Sequence, residues 1–111
     1  MIKRLKVEPY GFHIVLCRTR KMAEKVMVEM FGDKKSGEYL KTVHGLTVFG
    51  PDHGLMMYAT PRAATVAHEA LHAANYMLKH AGVKISAEND EAQAYLVGWL
   101  VGEFLKKEGW R

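Results

Sequence analysis

The spacing of apolar residues along this chain changes several times, and it predicts a strand followed by a helix near the start. Residues 12–18, FHIVLCR, are rich in β-forming apolar residues and are predicted to form a buried or half-buried strand. Met22, Val26 and Met30 then recur every four residues, which is the spacing of one helix face. Gly32 is a favourable residue to end that helix.

A β-hairpin is predicted in the middle of the chain. Residues 41–49 and 54–59 both have the composition of strands. The residues between them, GPDH, contain the glycine, proline and aspartate that favour tight turns. The polar residues 32–38 ahead of this hairpin are predicted to form a loop.

Two long helices are predicted in the second half of the chain. The first covers about residues 61–81, because Thr60 can cap its start, Pro61 suits its first position and Gly82 can end it. Ser86 can cap the second helix, which has acidic residues in its first turn and lysines at its end.

Small residues predict that these two helices pack closely together. Alanine recurs along one side of the first helix, and two glycines give the second helix a flat surface. These residues are Ala63, Ala67, Ala70, Ala74, Gly98 and Gly102. The chain is therefore predicted to have an α+β fold, with a small, partly antiparallel sheet, one helix before it and two packed long helices after it.

The composition is that of a single globular domain. With 111 residues, 49% of them hydrophobic and 25% charged, we expect one domain over residues 1–111. No apolar run approaches the roughly 18 residues of a membrane span, and no secretion signal is recognisable, so we expect no membrane partner. Cys17 is the only cysteine, which fits a cytoplasmic protein without disulfides.

The net charge of +4 comes from the N-terminal part of the chain. Residues 1–41 hold ten Lys and Arg against five Asp and Glu, whereas residues 42–111 hold six against seven. Arg18, Arg20 and Lys21 are candidates for contacts with nucleic acid, but no nucleic-acid-binding motif accompanies them. A solvated basic face is the favoured interpretation, and the oligomeric state is left open.

The residues that point to chemistry are His68-Glu69-Ala70-Leu71-His72, which fit the pattern H-E-x-x-H. Residues four apart share a helix face, so His68 and His72 can bind one zinc ion. Glu69 lies about 100° round the helix from His68, a position that suits a general base better than a third ligand. The competing interpretation is that the two histidines simply face solvent.

A catalytic zinc usually has three protein ligands, and the acidic start of the next helix supplies candidates for the third. Glu88, Asp90 and Glu91 all lie there. We choose Glu91, because it lies deeper in the predicted helix and is followed by small residues. Glu88 and Asp90 are explained equally well as charges that favour a helix N-terminus.

With VAHEALHA followed by DEA, the chain resembles the gluzincin branch of zincin metallopeptidases, which includes thermolysin-like enzymes. Residues 91–96 are also similar to the E-A-N-x-F-A segment of the small ImmA/IrrE-type zincins. The resemblance covers about residues 58–98 and implies that His68, His72 and Glu91 bind one zinc ion per chain. It further implies that Glu69 is the general base and that an extended peptide pairs with an edge strand. Asp90 and Tyr95 depart from the gluzincin pattern.

The predicted function is therefore zinc-dependent hydrolysis of peptide bonds in a peptide or protein substrate, in which Glu69 transfers a proton from water to the leaving amine. Tyr76 and Tyr95 are candidates to orient ligands or to stabilise the oxyanion, although aromatic packing explains both equally well. The other oxyanion candidates are Tyr58, His44, His53 and His80. The alternative is a catalytically silent zinc-binding interaction or regulatory module.

Overall fold

The computed structural model describes residues 1–50 and 52–111 and contains a four-stranded sheet and four helices. The strands are β1 (Ile2–Val7), β2 (Phe12–Cys17), β3 (Gly45–Phe49) and β4 (Gly54–Ala59). The helices are α1 (Arg20–Phe31), α2 (Ser36–Leu40), α3 (Ala63–His80) and α4 (Glu91–Leu105). In the described residues, no helix is both long enough and apolar enough to cross a membrane.

The sheet is mixed, and its strand order is β1-β2-β4-β3. The outer pairs, β1 with β2 and β3 with β4, are antiparallel, whereas β2 and β4 pair in parallel. The connection between the two parallel strands contains α1, α2 and β3. The predicted α+β fold with a partly antiparallel sheet and two packed helices after it is thus confirmed.

Alternation along the central strands divides the apolar side chains between two cores. On β4, Leu55, Met57 and Ala59 belong to the core beneath α3 and α4. The intervening Met56 and Tyr58 belong to the core beneath α1. Because successive side chains of a strand point to opposite faces, the apolar run of β4 fills both cores, as expected of a strand covered on both sides.

Several predicted boundaries are wrong in the first half of the chain. The strand β1 is not among the predicted elements, since Lys3, Arg4 and Lys6 interrupt its apolar residues. The predicted loop 32–38 overlaps the short helix α2, and the third strand begins at Gly45, not at residue 41. The buried face of α1 consists of Ala23, Val26 and Met27, so the predicted Met22–Val26–Met30 spacing identified the helix but not its full contact face.

Residues that were predicted to end α1 and α3, or to form the hairpin turn, have positive φ angles. Gly32 adopts φ 66° at the end of α1. The hairpin turn between β3 and β4 has positive φ at Asp52 and His53, and Pro51 of the predicted turn lies outside the described residues. Gly82, with φ 78°, follows α3 and donates its N–H to the carbonyl of Lys79.

The two predicted helix caps are wrong. The N-cap position of α3 is Arg62, and the hydroxyl of Thr60 is buried without a hydrogen-bond partner among the described residues. Ser86 pairs with Asn89 in a short bridge, and the side-chain amide of Asn89 donates to the carbonyl of Lys84 at 2.6 Å. This local bonding stabilises a turn before the helix, so α4 begins five residues later than Ser86.

Helices α3 and α4 pack against each other, as predicted, and Ala70 and Ala74 of the predicted ridge are buried, but the other predicted small residues are not. Ala63 and Ala67 are exposed, whereas the buried stripe of α3 contains Val66, Ala70, Ala73, Ala74, Met77 and Leu78. Larger side chains bury more apolar area than alanine, and this orientation brings Val66, Met77 and Leu78 into the core. Gly98 and Gly102 are exposed and do not contact α3.

Alanine substitutions test this orientation of the helices. Gly98→Ala is expected to increase the free energy of unfolding by about 0.4–1 kcal/mol, because a methyl group there meets no neighbour and alanine favours the helix. Gly82→Ala is the control, because Gly82 has a left-handed backbone conformation. This substitution is expected to lower the free energy of unfolding by about 1–2 kcal/mol. Urea unfolding measures both changes. A destabilising Gly98→Ala would show that Gly98 packs against another element.

Candidate functional site

His68 and His72 lie on the exposed side of α3 with their rings close together. Their Nε2 atoms are 3.2 Å apart, and the ring planes are inclined by 73°. At this distance one nitrogen can donate a hydrogen bond to the other, depending on the tautomers. The same distance is close to the separation of about 3.3 Å between two nitrogens that bind one tetrahedral zinc ion with Zn–N bonds of about 2.0–2.1 Å. The pair therefore fits two zinc ligands.

Glu69 points from α3 toward the sheet and is only 7% exposed. The hydroxyl of Thr47, on β3, lies 2.7 Å from Oε1 of Glu69 and 3.2 Å from the carbonyl oxygen of the same residue. The other carboxylate oxygen, Oε2, lies 3.9 Å from Nε2 of His68. One oxygen of Glu69 thus accepts a hydrogen bond from the sheet, while the other lies near His68.

Because Gly45 has no side chain, there is room beside it for the side chain of Glu69. A methyl group at Gly45 would lie 2.7 Å from Cγ and 2.9 Å from Oε2 of Glu69, closer than carbon and oxygen atoms pack. In front of this contact is an open groove of about 380 Å³. Its lining consists of Val43, His44, Gly45, Ala64, Thr65, His68 and Glu69.

The groove adjoins a free strand edge. In the described part of the chain, β3 pairs only with β4. The N–H of Thr60 donates to the carbonyl of His44, and the N–H of Gly50 donates to that of Gly54, so the even-numbered residues of this segment are the ones that bond to β4. The backbone N–H and C=O groups that point away from the sheet therefore belong to Gly45, Thr47 and Phe49.

The third predicted ligand, Glu91, is exposed and is the first residue of α4. The side-chain amide of Gln93 donates to Asn75 at 2.7 Å, which places the first turn of α4 beside the second half of α3. Among residues 1–50 and 52–111, no three His, Cys, Asp or Glu side chains are grouped closely enough to hold a metal ion. The structure thus pairs His68 with His72 but does not group Glu91, or the exposed Glu88 and Asp90, with them.

The candidate oxyanion and orienting residues are widely distributed. Tyr76 lies one turn beyond His72 and stacks on Phe49, whereas Tyr95 is 76% exposed on α4. Tyr58 is buried in the core beneath α1, on the opposite face of the sheet from Glu69. His53 and His80 lie near each other, with ring centroids 6.3 Å apart. His44 is the candidate that lines the groove together with His68 and Glu69.

Two further residues, Cys17 and Arg18, are engaged within the fold itself. Burial raises the pKa of the Cys17 thiol to about 12, and the positive charges of the N-terminus and Arg4 offset this only in part. Arg18 donates to the carbonyl of Phe104 at 2.6 Å and lies 4.1 Å from the ring centre of Trp110. Cys17 is therefore not positioned as a thiolate ligand, and Arg18 contacts the chain's own C-terminal segment.

Thr47 and Gly45 are part of the site although neither residue is among those predicted from the sequence. Their spacing of two on a predicted strand places them on one face, which is the available sequence signal. That spacing does not indicate which helix the face contacts, so the partnership with Glu69 appears only in the three-dimensional structure.

Comparison of the chain with known protein families, characterised proteins and solved structures gives no match. The functional interpretation therefore depends on the geometry of the site and on the motif itself.

A double-mutant cycle tests the contact between Gly45 and Glu69. Gly45→Ala is expected to lower the free energy of unfolding by about 1–3 kcal/mol, because its methyl group overlaps the Glu69 side chain. In a Glu69→Ala background the same substitution is expected to cost clearly less, since the overlapping atoms are absent. Denaturant unfolding of the four proteins measures the coupling. Equal costs in both backgrounds would show that the two side chains do not compete for this space.

Proposed function

We propose that the protein is a zinc-dependent hydrolase that cleaves peptide bonds. The observation that carries this proposal is the arrangement of two exposed imidazoles with zinc-ligand spacing beside a buried carboxylate that has its own hydrogen-bond donor. Two histidines alone suit any metal-binding surface. A carboxylate positioned next to them, with one oxygen near His68, is what general-base hydrolysis requires.

Each residue of the site has a proposed role. His68 and His72 hold the zinc ion, which when bound supplies Lewis acidity that polarises a carbonyl group and activates water. Oε2 of Glu69 accepts a proton from water and delivers it to the departing amine. Thr47 holds the carboxylate in one orientation through Oε1, so that this proton transfer needs no rearrangement of the base.

The proposed substrate is an extended segment of a peptide or of a cytoplasmic protein. The free backbone groups of Gly45, Thr47 and Phe49 offer main-chain hydrogen bonds to an added strand. Gly45 and Thr47 also contact Glu69, so a peptide paired with β3 lies beside the general base. Main-chain binding explains how a site this open gains affinity for a peptide bond.

Glu91 is the proposed third ligand, and its support is the motif resemblance. In gluzincins, which this motif resembles, the third ligand is on the helix that follows the H-E-x-x-H helix, and here α4 packs against α3 with its first turn beside Asn75. The alternative proposal is a catalytically silent zinc-binding module. The observation that favours it is that the described residues group no third ligand with the histidine pair, leaving coordination positions that a partner protein can fill.

Zinc binding is the first property to measure. We expect one zinc ion per chain by elemental analysis, with loss of zinc in His68→Ala and His72→Ala. Among the acidic candidates, Glu91→Ala is expected to weaken zinc binding the most, whereas Glu88→Ala and Asp90→Ala serve as matched controls. Full retention of zinc by Glu91→Ala would assign the third position to another residue. No zinc in the wild-type protein, and no rise in its melting temperature on adding zinc, would contradict the metal site itself.

Hydrolysis is tested with Glu69→Gln. Glutamine preserves the shape of the side chain and can still accept the hydrogen bond from Thr47, so the fold and the bound zinc are expected to remain. Because an amide cannot accept the proton from water, peptide cleavage is expected to fall by about 10²–10⁴-fold. Mass spectrometry of a peptide library and of cytoplasmic proteins measures the loss.

The same comparison separates the two proposals. Cleavage by the wild-type protein that Glu69→Gln abolishes without loss of zinc supports the hydrolase. If the zinc-loaded wild-type and Glu69→Gln proteins are both inactive and bind a partner equally well, the silent zinc-binding module is the correct proposal and the hydrolase is wrong.

A further inference from the structure

An aromatic stack lies one helical turn beyond His72, at the C-terminal end of β3. The rings of Phe49 and Tyr76 are stacked in nearly parallel planes, inclined by 3°, with centroids 3.8 Å apart. Phe49 remains 41% exposed, and Tyr76 is partly buried. An apolar ring left this open at the end of an edge strand lowers its free energy when another apolar group covers it.

The stack belongs to the same faces as the proposed catalytic residues. On β3, Gly45, Thr47 and Phe49 alternate with side chains that pack toward α1, so all three face α3. On α3, Tyr76 follows His72 by four residues and therefore shares its face. One strand face and one helix face thus lead from Glu69 and the histidines to the aromatic stack.

The separation between the stack and the base matches the dimensions of an extended peptide. Two residues along a strand span about 7 Å, which separates Phe49 from Thr47, and one helical turn of about 5–6 Å separates Tyr76 from His72. A peptide paired with β3 has the same rise per residue. A side chain that reaches the stack is therefore about two positions from the residue that lies beside Thr47.

From this geometry, and resting on the proposed function, we infer that the Phe49–Tyr76 stack is a specificity subsite for an aromatic or large aliphatic side chain within two residues of the scissile bond. The backbone of Phe49 bonds the peptide main chain, while its ring and that of Tyr76 contact the side chain. An aromatic group gains both apolar burial and ring–ring contact, whereas alanine or a charged group gains neither.

Binding and cleavage are measured separately with one pair of peptides. Both are capped, extended octapeptides of alanine and serine, and one carries a single phenylalanine at its centre. Zinc-loaded Glu69→Gln protein is used for binding, so that the peptides stay intact, and wild-type protein is used for cleavage. We expect the phenylalanine peptide to bind about tenfold more tightly, and to be cleaved at a fixed distance of at most two residues from the phenylalanine.

Substitutions in the stack test whether its two rings cause this preference. Phe49→Ala is expected to reduce the preference for the phenylalanine peptide to within about twofold, in both binding and cleavage. Tyr76→Phe keeps the stacked ring and is expected to keep the preference. Tyr39→Ala removes an exposed aromatic side chain from α2, away from the groove, and is the matched control. Melting temperatures show that each variant is folded.

The outcomes distinguish this inference from the proposed function. If the wild-type protein cleaves peptides and Phe49→Ala keeps the full preference, the subsite is wrong and the hydrolase stands. If the wild-type protein cleaves neither these peptides nor any peptide of the library, but the binding preference is present and Phe49→Ala removes it, the stack binds apolar side chains and the hydrolase is wrong. If the phenylalanine peptide shows no advantage in binding or cleavage, the subsite is overturned.

Discussion

The site depends on the hydrogen bond between Thr47 and the buried carboxylate of Glu69. A carboxylate removed from water is costly unless hydrogen bonds replace its hydration. Thr47 supplies such a bond at 2.7 Å, and Gly45 leaves the space that allows α3 to approach β3 this closely. Because Glu69 is anchored to the sheet, its neighbour in the chain, His68, and His72 one turn later must lie on the solvent side of α3. The position of the proposed base and the exposure of the proposed ligands are thus consequences of one contact.

The sheet topology places this contact where a substrate can reach it. The central strands β2 and β4 are covered on both faces, and their side chains fill the two cores. The strand β3 is at the edge, so its outward backbone groups remain available to a partner strand. A carboxylate buried beneath a central strand would be inaccessible to a substrate. The edge position combines a low-polarity environment for Glu69 with an open groove.

The surface formed by β3 and α3 changes in chemical character along its length. At one end are the polar groups proposed for catalysis, and at the other is the Phe49–Tyr76 stack. Both ends are built from the same alternation on β3 and the same four-residue repeat on α3. A peptide that pairs with the edge would therefore meet the base with its main chain and the aromatic rings with one side chain.

Much of the local structure was predictable from the sequence, because it depends on neighbouring residues. The strand pattern of β2 and β4, the helical repeat of α3 and the left-handed glycines at 32 and 82 are local features, and each prediction is confirmed. The pairing of His68 with His72 was also predictable, since four residues on a helix make slightly more than one turn. The start of α4 was not, because the bonds among Lys84, Ser86 and Asn89 compete with capping by Ser86.

The tertiary structure alone decided which sides of these elements meet. Periodicity identifies a helix face but not its orientation against the sheet, and α3 buries Val66 and Met77 in preference to Ala63 and Ala67. That orientation turns Glu69 inward to Thr47, a residue 22 positions earlier in the chain. The sequence by itself determined the candidate ligands and base, because their spacing is local. The groove, the partner of the base and the aromatic stack were decided by packing between distant segments, which depends on the total apolar area buried and not on any single spacing.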